Sequence, residues 1–209
     1  MDFFYGPMSG NSARTAFALF EMGLPFTPHR FDRPDGQNRD SAYLAVNPMG
    51  KVPALIDGEV QLWESNAINW YLAETHPEAG LLPASPVGRA SVQRWLLFQA
   101  GHLSPPCLVI FRGTNARVQA FWKVSATPQA VGAARAELGR YLDVLEKALD
   151  GRDWLETTFS LADIAYAPHL AMIAEGGFDF AATPRVRSWL ERLWARPAWK
   201  QAAAMTLGG

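Results

Sequence analysis

Cysteine is almost missing from these 209 residues: Cys107 stands alone, so no intrachain disulfide can form and no oxidising compartment is implied. Histidine is nearly as scarce. His29, His76, His102 and His169 lie far apart, without metal-ligand spacing, so no metal is expected. No apolar run reaches the roughly eighteen residues of a membrane-spanning helix, and the acidic Met1-Asp2 start lacks the features of a signal peptide. A cytoplasmic protein without a membrane partner is expected. Net charge is lacking too: 19 Lys+Arg against 20 Asp+Glu leave −1, which gives no electrostatic reason to expect nucleic acid or an anionic surface. Internal repeats, low-complexity tracts and phosphate-binding glycine loops are also absent. What is plentiful is apolar side chain, 49% of residues, enough for a real core in a chain longer than a typical single domain.

Phe3-Phe4-Tyr5 reads as a short strand broken by Gly6-Pro7. Ala16, Leu19 and Phe20 then mark one helical face, with Gly23 as the stop and Pro25 beyond. A second strand is expected around 26–31, so strand, helix and strand form a βαβ unit whose parallel strands need the crossover helix. A polar loop, 32–40, and a brief helical turn, 41–46, lead to Asn47-Pro48. His76-Pro77 ends a later helix, and the proline-rich stretch to Pro86 reads as a linker. Everything after it is helical in pattern. Val92, Trp95, Leu96 and Gln99 recur at helical steps before Pro105-Pro106, which must kink or interrupt the helix. Thr127-Pro128 is a cap with a first-turn proline ahead of the stripe Val131, Ala134, Leu138, Leu142, Leu145 and Leu149. Ser160 and Asp163 form a capping box and are assigned to folding. Thr183-Pro184 and Arg196-Pro197 open the last helices.

The chain is organised around Asn47 to Ser65. Val52 precedes a proline and is held extended, offering its main chain outward, while Pro53 suits the first residue of a strand and is a candidate cis proline. Asp57-Gly58 reads as a hairpin turn, with the return strand through Val60, Leu62 and Trp63. Glu64-Ser65 then sits where the free N–H groups of a helix start attract a carboxylate, because Ala67, Ile68, Tyr71 and Leu72 follow at helical spacing. This ordered set resembles the glutathione site of the cytosolic glutathione transferases, in bacterial theta-like or beta-like form. The resemblance implies an α/β thioredoxin-like domain (βαβαββα) over 1–78, a linker over 79–86 and an all-helical domain over 87–209. It also implies a cis Pro53, backbone pairing of Val52 with the cysteinyl part of glutathione, and Glu64 and Ser65 at its γ-glutamyl end. Lys51 is a candidate partner of the glycyl carboxylate, with weaker support from Gln37 and Arg39.

Such an enzyme must make a thiolate near neutral pH. Lowering a thiol from ~8.5 by roughly two units takes about 2.7 kcal/mol of preferential thiolate stabilisation, within reach of one or two hydrogen bonds and a helix N-terminus. The donor belongs in the turn after the first strand. Ser9 matches the interval of the catalytic serine of theta-like enzymes, while Asn11, Ser12 (which also suits a helix cap), Tyr5 or a backbone N–H are the alternatives. The beta-like enzymes' cysteine has no counterpart here. Met8, Gln99, His102, Leu103 and Phe111 are candidates for the second substrate, a small hydrophobic electrophile. Glutathione serves as co-substrate. Glutathione-dependent reduction of peroxides or disulfides, and non-enzymatic binding, are the competing activities, and the resemblance implies a homodimer through the helices after Ser65 and Arg89.

Overall fold

The computed structural model describes residues 1–32 and 39–208, which fall into two compact units, 1–80 with 196–209 and 81–195. In the first unit, strand β1 (Asp2–Tyr5), helix α1 (Gly10–Glu21) and strand β2 (Thr27–Arg30) make the expected βαβ unit, with Asp2 opposite Thr27 and Tyr5 opposite Arg30 in parallel. Helix α2 (Ser41–Val46), strands β3 (Ala54–Asp57) and β4 (Val60–Trp63) and helix α3 (Ser65–Thr75) complete βαβαββα. The sheet runs β2-β1-β3-β4, and β3 is antiparallel to both neighbours. The hairpin turn lies one residue later than the sequence suggests. Asp57 still pairs with Val60, and Gly58, at φ 59, is the residue that takes the positive φ.

Helix α1 is buried almost all round, because small residues let neighbours close on every side. Ala13, Ala16 and Ala18 are fully buried, and α1 packs against both α3 and the last helix, α11 (Pro197–Thr206). That last contact departs from the expected boundary. The chain from Arg196 onward clusters with the first unit rather than with the helices that precede it.

The second unit is helical throughout its described elements. Helix α4 (Pro86–Phe98) runs into a π turn at Gln99–Leu103 and then α5 (Ser104–Thr114), so the interruption falls just ahead of Pro105-Pro106. The prolines sit in the first turn of α5. A short α6 (Ala116–Trp122), capped by Asn115, gave no periodic signal in the sequence. Helix α7 (Pro128–Ala148) is capped by Thr127 and buries Ala134, Leu138, Leu142 and Leu145. The capping box at Ser160 and Asp163 opens α8 (Leu161–Ile164), followed by α9 (Ala167–Glu175) and α10 (Pro184–Ala195). Tyr166 donates from its hydroxyl to the Trp95 carbonyl at 2.9 Å, tying α4 to this buried layer. Among the described residues no helix is long and apolar enough to cross a membrane.

Candidate functional site

Three short segments of the first unit meet. The turn after β1 supplies the first. Ser9 caps α1: its Oγ accepts from the Ser12 N–H at 3.2 Å. Ser12, expected either to cap or to act, does not cap the helix. It is fully buried, and its Oγ accepts from the Gly6 N–H at 3.2 Å, folding the turn back on itself. Asn11 is exposed, with its Oδ1 accepting from Arg14, and Tyr5 is buried on β1, stacked on Phe3. Ser9 is therefore the half-exposed hydroxyl of this turn.

The second segment is Lys51-Val52-Pro53. The Val52–Pro53 bond is cis. Ladder pairing begins only at Ala54, so Val52 stands just ahead of the sheet, half-buried. The turn and this segment touch: a Cβ built on Gly6 would meet Val52 Cγ2 at 3.1 Å. A side chain at this position would need the valine methyl to give by a few tenths of an ångström.

The third is the start of α3. Glu64 holds φ 69 and ψ 109, a left-handed conformation that costs a side-chain-bearing residue about 1–3 kcal/mol and marks a position whose geometry matters. Met8, in the β1–α1 turn, is also left-handed, at φ 52. Ser65 is 4% exposed, and the first N–H groups of α3 lack intrahelical partners. Arg14, 3% exposed, donates from Nη1 to Ser65 Oγ at 2.7 Å, and Asn69 donates to the Arg14 carbonyl at 3.2 Å. A buried guanidinium beside a helix N-terminus favours an arriving carboxylate. Sequence reasoning missed Arg14. Its only signal was a cation inside an otherwise small and apolar run, Ala13 to Leu19.

Lys51, Glu64 and Arg39 are exposed, and Gln37 lies outside the described residues. The second-substrate candidates belong to both units. Met8 belongs to the first unit, half-exposed beside Ser9, with its N–H donating to the Thr206 carbonyl at 2.7 Å. The other four lie in the second unit. Gln99, Leu103 and Phe111 are buried, at 0%, 0% and 4% exposure. Gln99 also donates to Ser104 Oγ. His102 is exposed, its ring 5.4 Å from that of Phe98 and 5.5 Å from that of Tyr141. Asp163 is fully buried and accepts within its capping box, a folding role. Among the described residues no group of three His, Cys, Asp or Glu is placed to hold a metal.

The chain is similar to known proteins along nearly its whole length. The family model "Glutathione S-transferase, N-terminal domain" matches residues 1–74, and "Glutathione S-transferase, C-terminal domain" matches 128–192. Glutathione S-transferase F10 of Arabidopsis thaliana is 31% identical over 96% of this chain and 95% of its own. A theta-class glutathione S-transferase from Xanthomonas axonopodis pv. citri, solved with glutathione bound, superposes with a TM-score of 0.87 at 28% identity, covering 96% of this chain and 95% of that one. Glutathione transferase F2 of Populus trichocarpa gives 0.89 at 25% identity, covering 100% and 99%. The bacterial theta-like or beta-like label expected from sequence gives way, since a plant enzyme stands among the curated relatives and plant and theta-class structures share the fold. The family itself is shown, and the chain belongs to the glutathione S-transferases.

Proposed function

We propose that this protein conjugates the glutathione thiolate to small hydrophobic electrophiles, with Ser9 donating a hydrogen bond to the sulfur. Val52 pairs its backbone with the cysteinyl part, Ser65 and Glu64 receive the γ-glutamyl end, and Lys51 stands near the glycyl carboxylate. One observation carries the reading: Gly6 against Val52 and Arg14 on Ser65 hold the thiol turn, the cis-proline segment and the α3 N-terminus together. A tripeptide laid along Val52 meets all three. The N-terminus of α1, 12 residues long, adds its dipole on the side where the sulfur charge develops. Met8 borders that sulfur within the same unit.

A homodimer through α3 and α4 belongs to the same proposal, supported by the exposed Leu97 and Val87 on α4. So does a cytoplasmic location, since the substrate is the reduced thiol. Titration calorimetry with glutathione, followed by turnover of a chloronitrobenzene, an organic peroxide and a mixed disulfide, tests the proposal. Heat of binding with turnover of the chloronitrobenzene is the expected result. No heat at millimolar glutathione would overturn the site, and turnover of only the peroxide or disulfide would overturn the conjugation.

A further inference from the structure

Two donors converge on one carbonyl oxygen just ahead of the cis proline. The Tyr43 hydroxyl donates to the Lys51 carbonyl at 2.6 Å, and the Asn47 side-chain amide donates to the same oxygen at 2.5 Å. Both residues are buried, at 5% and 2% exposure. Asn47 is itself fixed: its Oδ1 accepts from the Met49 N–H at 3.0 Å, its carbonyl accepts from the Gly50 N–H at 2.8 Å, and its N–H donates to the Tyr43 carbonyl at 2.8 Å. The Tyr43 ring packs 5.5 Å from Phe4 and 4.6 Å from Phe31. Burial pushes its phenol up to about 12, so it keeps its proton across the neutral range.

The Lys51 carbonyl and the Val52 N–H belong to one planar peptide unit. Val52–Pro53 is the cis bond recorded among the described residues. Lys51–Val52 is therefore trans, and its carbonyl and N–H point in opposite directions. Pinning the carbonyl inward aims the N–H outward. The sheet does not do this job, because ladder pairing starts at Ala54, and the proline ring keeps Val52 extended without fixing which way the Lys51–Val52 peptide plane faces.

We infer that Tyr43 and Asn47 are positioning residues for glutathione: by gripping the Lys51 carbonyl they set the direction in which Val52 offers its N–H to the cysteinyl carbonyl. The inference rests on the proposed pairing of Val52 with the tripeptide. Neither side chain touches the ligand. Two variants isolate the donors. Tyr43→Phe keeps the ring packing and removes only the hydroxyl, while Asn47→Ala removes the amide donor without introducing a charge.

Calorimetry with glutathione gives the affinity, and amide hydrogen exchange by NMR at saturating glutathione reads the Val52 N–H directly. Each variant is expected to bind glutathione about three- to ten-fold more weakly, the weight of one oriented hydrogen bond. KM for glutathione rises with kcat at saturation unchanged. Protection of the Val52 amide falls, while the α1 and α3 amides stay protected as in the wild type. Unchanged affinity, or weaker binding with Val52 protection intact, would overturn the proposal. So would a general loss of protection across the first unit, which would mark a merely structural role. Wild-type protein that gives no heat places the fault in the site reading itself; wild-type binding that leaves the Val52 amide unprotected sinks the backbone pairing and this proposal together.

Discussion

Ser9 uses both sides of its hydroxyl. Its oxygen accepts from the Ser12 N–H to cap α1, which leaves the proton for a second partner, and a sulfur at the mouth of the turn is the partner the proposed chemistry needs. Removing the hydroxyl therefore has two separable effects. Ser9→Ala loses the cap, at about 1 kcal/mol of stability, and raises the pKa of the bound thiol by about one to two units, the worth of one hydrogen bond to a charged group. Turnover of the variant then falls about tenfold or more on the acid side of neutrality and converges on the wild type in alkali. Ultraviolet titration of the bound thiolate measures the shift, and an unchanged value moves the role to Asn11. The turn that holds Ser9 was legible in the sequence because strand and helix signals bracket it within a few residues. Arg14 was not, because the partner that gives it meaning, Ser65, lies 51 positions away.

The elements themselves were largely legible, since each rests on local signals: the βαβ spacing, the proline before β3, and the caps at Thr127 and Ser160. What helical periodicity does not encode is the partner. The 197–206 segment reads as one more helix of a helical domain, yet it packs on α1, with Trp199 edge-on to Phe17 at a ring separation of 5.5 Å. Arg196 donates from Nε to Glu21 Oε2 at 3.0 Å at one end of that contact, and the Thr206 carbonyl takes the Met8 N–H at the other. Trp199 is 5% exposed. Trp199→Ala should cost the first unit about 3–5 kcal/mol, the usual range for emptying a large aromatic from a core, as read by thermal unfolding. Because the same contact steadies the turn that carries Ser9, glutathione affinity should fall with it. Full affinity in a destabilised variant would show that α11 supports the fold without supporting the site.

For the whole molecule, Asp163 offers a test of whether stability and ligand binding separate between the two units. Its carboxylate accepts from the Leu155 N–H, the Ser160 N–H and hydroxyl, and Trp189 Nε1, at 3.0, 3.0, 3.3 and 3.0 Å, all within the second unit. Burial outweighs these donors and pushes the acid up from 3.8 to about 6. A folded value above the unfolded one means that the native state holds this proton longer than the open chain does. The stability this group contributes is therefore fully present below about pH 4 and is lost as pH rises through about 6, a change on the order of 3 kcal/mol. Asp163→Asn removes the titration and turns an amide N–H2 toward groups that themselves donate, so it should unfold at lower temperature at every pH. The gap to the wild type should narrow between about pH 4 and pH 7, since over that window only the wild type loses the contribution. Scanning calorimetry of the two proteins across that range decides the sign, and a gap that widens instead would mean that the donors outweigh burial. None of the Asp163 donors belongs to the first unit, so glutathione affinity measured well below the unfolding temperature should be the same in both proteins. A loss of affinity in the variant would instead show that folding of the helical unit is required to shape the glutathione site.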